Sequence, residues 1–328
     1  MGTKHLKGKV ILITGGTGTF GKALVRHLLA VKGIPKIIVF SRDEYKQSEM
    51  RREFDDPRLR FLIGDIRDRG RLVRAFNHVD IVVHAAALKQ VPALEYNPAE
   101  AVETNINGTR NVIEAALECN VEKVLTISTD KAVQPVNLYG ATKMCAERLT
   151  IAANVYRGRH KRTRFSVMRY GNVLGSRGSI LELIQKQRPS GKITLTDERM
   201  TRFWIHIDAV IDSVVEALRI MDSGEIFVPK MHAAFVKDII RELAPECTFT
   251  IIGMRPGEKL HETLITEFEA PRTKDVSGMY VIEPEFTDWG RTQPFKKFKS
   301  FVGEESYSSD HQRYVVPAKR INEILKGA

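Results

Sequence analysis

A glycine-rich segment near the N-terminus constrains the fold more than any other feature of this sequence. The apolar run Val10–Thr14 leads directly into Gly15-Gly16-Thr17-Gly18-Thr19-Phe20-Gly21, which opens an amphipathic stretch at 20–31. The first glycine permits a tight turn, the next lets backbone approach a pyrophosphate, and the last lets a helix pack closely on a strand. Free N–H groups at the helix start favour phosphate binding. The segment therefore predicts a dinucleotide-binding strand–loop–helix unit.

The rest of the first half alternates short apolar runs with longer amphipathic stretches. Because the apolar runs are rich in valine and isoleucine nearly throughout, they are typical of strands covered on both faces. The predicted strands are 9–14, 36–40, 60–63, 80–85, 123–128 and 165–170, and the main predicted helices are 20–31, 99–119 and 138–156. This alternation predicts an α/β fold, a doubly wound parallel sheet of the Rossmann-like type. We expect a dinucleotide-binding domain at 1–175, to which some later segments return, and a smaller, irregular substrate lobe with a C-terminal arm at 176–328.

Composition excludes several functional classes. No apolar run approaches the roughly 18 residues of a membrane span, and no signal sequence precedes the first strand, so a cytoplasmic protein is expected. Cys119, Cys145 and Cys247 are too few and too scattered for a disulfide framework or a metal site. The net charge of +11 is spread along the chain, which favours an anionic small substrate over nucleic acid.

The end of the second predicted strand indicates which dinucleotide is bound. An acidic residue there would hold the ribose 2′-hydroxyl of NAD, but this chain has Ser41-Arg42, with Asp43 only after them. A hydroxyl and a guanidinium suit a 2′-phosphate, so the cofactor predicted is NADP; the alternative is an arginine on a solvated turn. The remaining predicted cofactor contacts follow the third and fourth strands: Asp65 and Ile66 beside the adenine, and Ala85 and Ala86 along the cofactor.

Tyr139 and Lys143 are spaced i, i+4 within a predicted helix and so share one face. An ammonium near a phenol lowers the phenol pKa from about 10. The pair predicts a base that takes a hydroxyl proton as hydride leaves for the nicotinamide. It follows a strand that ends in Ser128-Thr129, which makes this spacing more specific than the motif alone.

These motifs together resemble the extended short-chain dehydrogenase/reductase superfamily. More narrowly, the chain resembles the family of soluble UDP-N-acetylglucosamine 4,6-dehydratases of pseudaminic acid biosynthesis. The segments that carry this resemblance are Phe40-Ser41-Arg42-Asp43-Glu44, His84-Ala85-Ala86-Ala87-Leu88-Lys89, Ser128-Thr129-Asp130-Lys131-Ala132, Met200-Thr201-Arg202-Phe203-Trp204 and Arg255-Pro256-Gly257-Glu258-Lys259-Leu260-His261-Glu262. The resemblance implies a UDP-N-acetylglucosamine substrate and a homo-oligomer.

The step Thr129-Asp130-Lys131 separates members of this superfamily. Epimerases usually carry no adjacent acid–base pair here, and dTDP-glucose dehydratases carry Asp-Glu, whereas Asp-Lys resembles the C5-inverting dehydratases. The resemblance implies that Thr129 holds the C4 hydroxyl, that Lys131 removes the C5 proton, and that a protonated Asp130 protonates the C6 oxygen. A lysine base requires a depressed pKa. The alternative is a surface ion pair, and local spacing leaves open which member is acid and which is base.

Further residues are assigned by the same resemblance. We expect substrate contacts from Lys89, Asn172, Arg202, Arg255 and Glu258, with Lys89 also close to the cofactor, and a supporting role for Asn105 beside the active-site helix. Other functions remain open at this point: a nucleotide-sugar 4-epimerase, a retaining 4,6-dehydratase, or a non-catalytic NADP-binding regulator. An epimerase would not need Asp130 and Lys131, and a regulator would need no complete acid–base set.

Overall fold

The computed structural model describes residues 2–157, 162–175, 180–287, 289–301 and 305–326. Its strands are β1 Val10–Thr14, β2 Lys36–Ser41, β3 Leu59–Ile63, β4 Ile81–His84, β5 Lys123–Ile127, β6 Arg164–Met168, β7 Asn172–Val173, β8 Lys192–Leu195, β9 Thr201–Ile205, β10 Ile226–Pro229, β11 His232–Phe235, β12 Thr248–Ile251, β13 Thr263–Ile265, β14 Thr273–Val276, β15 Met279–Ile282, β16 Lys299–Ser300 and β17 Tyr307–Ser308. Its helices are α1 Thr19–Ala30, α2 Glu44–Glu53, α3 Arg69–Phe76, α4 Val91–Tyr96, α5 Pro98–Ala101, α6 Gly108–Glu118, α7 Leu138–Ala152, α8 Ile180–Gln187, α9 Ile207–Ile220, α10 Val236–Leu243 and α11 Ile321–Lys326.

The main sheet has ten strands in the order β16-β14-β15-β10-β6-β5-β4-β1-β2-β3. Seven neighbouring strands of this sheet run parallel, in the order β10-β6-β5-β4-β1-β2-β3. At the β10 edge, β15, β14 and β16 are added as antiparallel neighbours. The strand order reverses between β1 and β4, and in such sheets ligands bind in the crevice at the carboxyl ends of the strands at this point. The predicted doubly wound parallel sheet is confirmed.

Successive side chains of β1 pack into different parts of the core, which explains why that strand is apolar throughout. Ile11 and Ile13 belong to a core cluster that includes residues of α1 and α9, whereas Leu12 belongs to a cluster that includes residues of α3 and α6. All three side chains are fully buried. Burial of a single side chain of this size stabilises the fold by about 1.5–3 kcal/mol.

The second half of the chain contributes to both the main sheet and a smaller lobe. β10 pairs with β6, so the chain returns to the main sheet after the first half is complete. Two smaller sheets, β11-β9-β7 and β12-β8, pack with α8, α10 and α11 around a separate apolar cluster. Where the boundary between 1–175 and 176–328 lies remains a prediction, since residues 176–179 are outside the described ranges. Among the helices that the structure describes, none has the length and apolarity to cross a bilayer.

Candidate active site

A cavity of about 550 Å³ lies at the carboxyl ends of β1, β2, β4 and β5. Its lining includes every residue predicted to bind the dinucleotide: Gly15, Thr17, Gly18, Thr19, Phe20, Gly21, Ser41, Arg42, Asp65, Ile66, Ala85, Ala86, Lys89, Tyr139 and Lys143. The predicted catalytic residues Thr129 and Lys131 and the predicted substrate residue Asn172 line the same cavity. The fold therefore brings the glycine loop, the strand ends and the Tyr139–Lys143 pair into one crevice at the strand-order reversal. The predicted catalytic and substrate residues that are not among those lining it are Asp130, Arg202, Arg255 and Glu258.

The glycine loop has the close contacts that a dinucleotide-binding turn requires. Gly15 has a φ of +67°, and a Cβ atom there would come within 2.9 Å of the backbone of Ala86. A Cβ atom on Gly21 would lie 2.3 Å from the carbonyl oxygen of Gly16, so a larger residue would push α1 away from the loop. α1 begins at Thr19 without a side-chain cap, which leaves its first N–H groups available to an anion. These features fit the phosphates of a dinucleotide.

The end of β2 combines a buried hydroxyl with a half-exposed cation. Ser41 Oγ accepts a hydrogen bond of 2.9 Å from Gln47 Nε2, and Arg42 Nη1 lies 3.7 Å from Asp65 Oδ2. Lys46 also lines the cavity. Sequence reasoning missed Gln47 and Lys46. Their positions within the first turn of α2, after the N-cap Asp43, are the signal that could have identified them.

Helix α7 is fixed at its start by an asparagine cap and by a very close glycine contact. Asn137 Oδ1 accepts a 2.8 Å hydrogen bond from the amide of Gly140, and its Nδ2 donates to the carbonyl of Gly257 at 2.7 Å. A Cβ atom on Gly140 would lie only 2.1 Å from the carbonyl oxygen of Lys131. This contact places Tyr139 next to the Thr129–Lys131 turn.

The electrostatics of Tyr139 differ from the expectation based on its spacing from Lys143. Lys143 is buried and donates a 2.6 Å hydrogen bond to the carbonyl of Ile127, and burial lowers its pKa to about 8. Burial raises the pKa of Tyr139 to about 12, although the Lys131 ammonium and a hydrogen bond with Thr129 oppose this rise. The cation that favours the phenolate is therefore Lys131.

Asp130, which is buried, and Lys131, whose side chain is about a quarter exposed (27%), form a pair in a short 3₁₀ turn capped by Thr129. Asp130 Oδ1 accepts hydrogen bonds from Thr129 Oγ1 at 2.8 Å and from Lys131 Nζ at 3.1 Å. Asp130 is fully buried, and its Oδ2 has no hydrogen-bond partner within the described ranges. This burial contradicts the alternative of a surface ion pair.

The predicted depression of the Lys131 pKa is wrong for this arrangement. Burial lowers the pKa of Lys131, but the carboxylates of Asp130 and Glu262 raise it by more, so it lies above its ordinary value. Glu262 Oε1 lies 3.5 Å from Lys131 Nζ. Sequence reasoning missed this contact, although Glu262 closes the quoted motif that begins at Arg255.

The five predicted substrate residues have different surroundings. Asn172 lines the cavity, and its Oδ1 is buried with no hydrogen-bond partner in the part of the chain that the structure describes. Arg255 is half-exposed and lies 3.6 Å from Glu258. Lys89 lines the cavity as well.

Arg202 differs most from its prediction. Its guanidinium is buried and donates to the carbonyl oxygens of Thr201, Lys259 and Leu260, at 2.7, 2.9 and 3.1 Å respectively. These bonds join the end of the 255–262 segment to β9. A substrate contact from this residue stays a prediction.

Asn105 links the cavity wall to α7. Its side chain exchanges hydrogen bonds with the backbone of Leu88 at 2.8 and 3.0 Å and donates to Thr142 Oγ1 at 3.0 Å. The predicted helix 99–119 is interrupted around it by a π-helical segment, Val102–Asn107. Such segments are frequent at functional sites.

The chain is similar to known proteins along most of its length. The model of the polysaccharide biosynthesis protein family matches residues 11–284. A UDP-N-acetylglucosamine 4,6-dehydratase (inverting) of Campylobacter jejuni subsp. jejuni serotype O:2 is 44% identical over 325 residues, which cover 97% of each chain. A UDP-glucose 4-epimerase of Rickettsia bellii is 38% identical over 326 residues, which cover 97% of this chain and 95% of the epimerase.

Solved structures have the same fold. Pen from Bacillus thuringiensis superposes with a TM-score of 0.88 at 38% identity and covers 98% of each chain. DesIV, a dTDP-glucose 4,6-dehydratase from Streptomyces venezuelae with NAD and TYD bound, has a TM-score of 0.69 at 25% identity, covering 76% of this chain and 86% of DesIV. The predicted membership of the extended short-chain dehydrogenases/reductases is thereby confirmed, and the chain belongs to the polysaccharide biosynthesis protein family.

Proposed function

We propose that this chain is an NADP-dependent, C5-inverting UDP-N-acetylglucosamine 4,6-dehydratase. The observation that carries the proposal is the Asp130–Lys131 pair, hydrogen-bonded through Thr129: Asp130 is buried, and Lys131 lines the cavity together with Tyr139. A dehydratase needs two proton-transfer groups besides the tyrosine, and this pair supplies them. The Campylobacter relative, named for this reaction, covers nearly the whole chain.

The residues divide the reaction between them as follows. A nicotinamide dinucleotide held at the glycine loop would supply the hydride acceptor for C4 and the hydride donor for C6. Thr129 holds the C4 hydroxyl and Tyr139 takes its proton, which leaves a ketone that acidifies C5–H. Lys131 removes the C5 proton, and Asp130 donates a proton to the C6 oxygen, which departs as water. As hydride arrives at C6, C5 takes up a proton on the opposite face of the ring, which gives the inverted configuration.

The contact between Asp130 and Lys131 reconciles these roles with the raised pKa of Lys131. Lys131 acts as a base only when neutral, and Asp130 acts as an acid only when protonated. Transfer of one proton across the 3.1 Å distance from Lys131 Nζ to Asp130 Oδ1 creates both states at once.

Product analysis by NMR tests the reaction. With UDP-N-acetylglucosamine and NADP⁺, we expect a C6 methyl doublet and a C4 ketone, followed over time so that the C5 configuration is read before any later epimerisation. The Rickettsia relative named as an epimerase makes a 4-epimerase the second candidate. Formation of the C4 epimer without a methyl signal would establish that activity and exclude dehydration.

DesIV was solved with NAD bound, so the fold alone does not indicate NADP. The preference for NADP in this chain rests on Arg42. Replacing Arg42 with alanine should weaken NADP⁺ binding by about tenfold to a hundredfold, the value of one charge-assisted hydrogen bond. NAD⁺ binding should change little, because NAD⁺ has no 2′-phosphate. Titration calorimetry with both cofactors measures this difference.

The matched control for Arg42 is Arg67→Ala. Arg67 is a second partly exposed arginine that pairs with Asp65, at 2.8 Å, and it is not among the residues that line the cavity. The Arg67→Ala variant should keep the same preference between NADP⁺ and NAD⁺ as the wild type. An equal loss of affinity for both cofactors in Arg42→Ala would remove the basis for NADP.

A further inference from the structure

Glu262 is a buried acid that the reaction as described above does not use. Its side chain is only 3% exposed, and Oε1 lies 3.5 Å from Lys131 Nζ and 3.9 Å from Arg202 Nε. Its backbone amide donates a 2.9 Å hydrogen bond to Ser309 Oγ. Lys131 Nζ also lies 3.1 Å from Asp130 Oδ1, so its ammonium contacts two carboxylates.

The second oxygen of Glu262 has no conventional structural role. Oε2 is buried and makes no hydrogen bond to the described residues, and Lys259 Nζ lies 3.7 Å from it. Lys259 Nζ itself donates to the carbonyl of Val133. Burying a carboxylate without full hydrogen bonding is costly. What Glu262 has instead is its position among Lys131, Lys259 and Arg202.

We infer that Glu262 is a positioning residue for Lys131, an inference that rests on the proposed dehydration. Its carboxylate fixes the Lys131 amine beside the cavity and stabilises the positive charge that the amine acquires when it takes the C5 proton. In that step the C5–H bond breaks, the proton goes to Lys131 Nζ, and the electron pair forms the C5=C6 double bond. The C6–O bond breaks as Asp130 donates its proton, and water leaves. Glu262 remains a carboxylate throughout.

Charge around Lys131 determines the sign of the pH effect. The ionisable groups facing it are Asp130, Glu262, Arg202, Tyr139 and Lys259. Asp130 and Glu262 raise the pKa of Lys131, and Arg202 lowers it. Removing the Glu262 charge therefore makes the proton shared by Lys131 and Asp130 easier to lose. We therefore expect an alkaline fall of kcat that reports on this proton to move to lower pH.

The test is Glu262→Gln, which keeps the size of the side chain and removes its charge. We expect kcat to fall by about tenfold to a hundredfold, a fraction of the 10²–10⁴ that a positioned acid–base group contributes. KM should be nearly unchanged, because the loss falls on the transition state. The alkaline limb should shift to lower pH, and Glu262→Asp should restore part of kcat and of the limb.

Glu225→Gln is the matched control. Glu225 is another fully buried carboxylate, paired with Arg291 at 3.0 Å, and it is not part of the cavity lining. The Glu225→Gln variant should have a lower melting temperature than the wild type but the same dependence of kcat on pH.

The outcomes separate the inference from the proposed function. A wild-type enzyme that makes no 4-keto product overturns the proposed function itself. If the wild type makes that product, an unshifted alkaline limb in Glu262→Gln and Glu262→Asp overturns the inference alone. A loss of kcat that matches the loss of folded protein would likewise assign Glu262 a purely structural role.

Discussion

Replacing Lys131 with alanine is expected to lower the rate of 4-keto product formation by about 10²- to 10⁴-fold, the range for a general base. The affinity for NADP⁺ should stay nearly unchanged, because the glycine loop and the start of α1, rather than Lys131, form the proposed phosphate site. The physical reason is that Lys131 Nζ is the amine that reaches the cavity from the turn after β5. Asp130 cannot replace it, since its role requires a proton to donate.

A single-turnover experiment with equal amounts of enzyme, NADP⁺ and substrate locates the block. In Lys131→Ala, oxidation at C4 should be slowed by the loss of the cation near Tyr139 but should still outrun elimination, so reduced nicotinamide should accumulate and be visible by its near-ultraviolet absorbance. In Tyr139→Phe no reduced nicotinamide should appear, because the C4 hydroxyl proton has no acceptor. A Lys131→Ala enzyme with wild-type turnover would refute the role of Lys131.

The local parts of this molecule could be predicted from sequence. The glycine loop, the capped start of α7 and the strand ends are each determined by a few neighbouring residues, and every residue predicted to bind the cofactor lines one cavity. Strand boundaries were predicted within a few residues, although β6 ends at Met168 rather than at Tyr170. Parallel strands bring their carboxyl ends to one edge, so the positions of Ser41, Ala85 and Thr129 follow from the order of the strands.

Contacts between distant segments could not be predicted in this way. Glu262 reaches Lys131 only because β13 follows it and pairs with β17, and no local pattern indicates that return. The buried position of Arg202 could not be predicted for the same reason. Its guanidinium donates to the carbonyl oxygens of Lys259 and Leu260, which precede β13. The raised pKa values of Tyr139 and Lys131 depend on burial and on these distant charges. The spacing of Tyr139 and Lys143 in the sequence indicates neither the burial nor these distant charges.

The largest stability effect is expected at Arg169, which joins α7 to the segment after β13. Its guanidinium binds Glu147 at 2.7 Å and Glu269 at 3.0 Å, and all three side chains are nearly inaccessible to solvent. It also donates to the carbonyl of Leu264 at 2.8 Å. Arg169→Met keeps much of the apolar volume but leaves two buried carboxylates unpaired. Removing one partner of such a pair costs about 3–5 kcal/mol of unfolding free energy.

The matched control is Arg69→Met, because Arg69 also binds two glutamates but at the surface. It lies 3.0 Å from Glu114 and 2.5 Å from Glu118, with all three side chains about half exposed. Its loss should change the unfolding free energy by no more than about 1 kcal/mol. Urea denaturation of the two variants and of the wild type gives the comparison.

The pH dependence of this difference has a defined sign. Burial raises the pKa of Glu269, but Arg169 lowers it by more, so in the wild type its folded-state pKa is depressed. The stability that this depressed pKa contributes to the wild type is present above the unfolded pKa of about 4.3. It is lost as pH falls through the folded pKa of Glu269. Without Arg169, burial of the Glu269 carboxylate is opposed only by the Thr266 hydrogen bond and the Arg272 charge, so its folded pKa should rise. The stability deficit of Arg169→Met should therefore shrink as pH is lowered from 7 towards about 5, because the buried Glu269 carboxylate can take up a proton. Denaturation at several pH values measures this, and a deficit that stays constant or grows on acidification would contradict the assignment of its cost to unpaired buried charge.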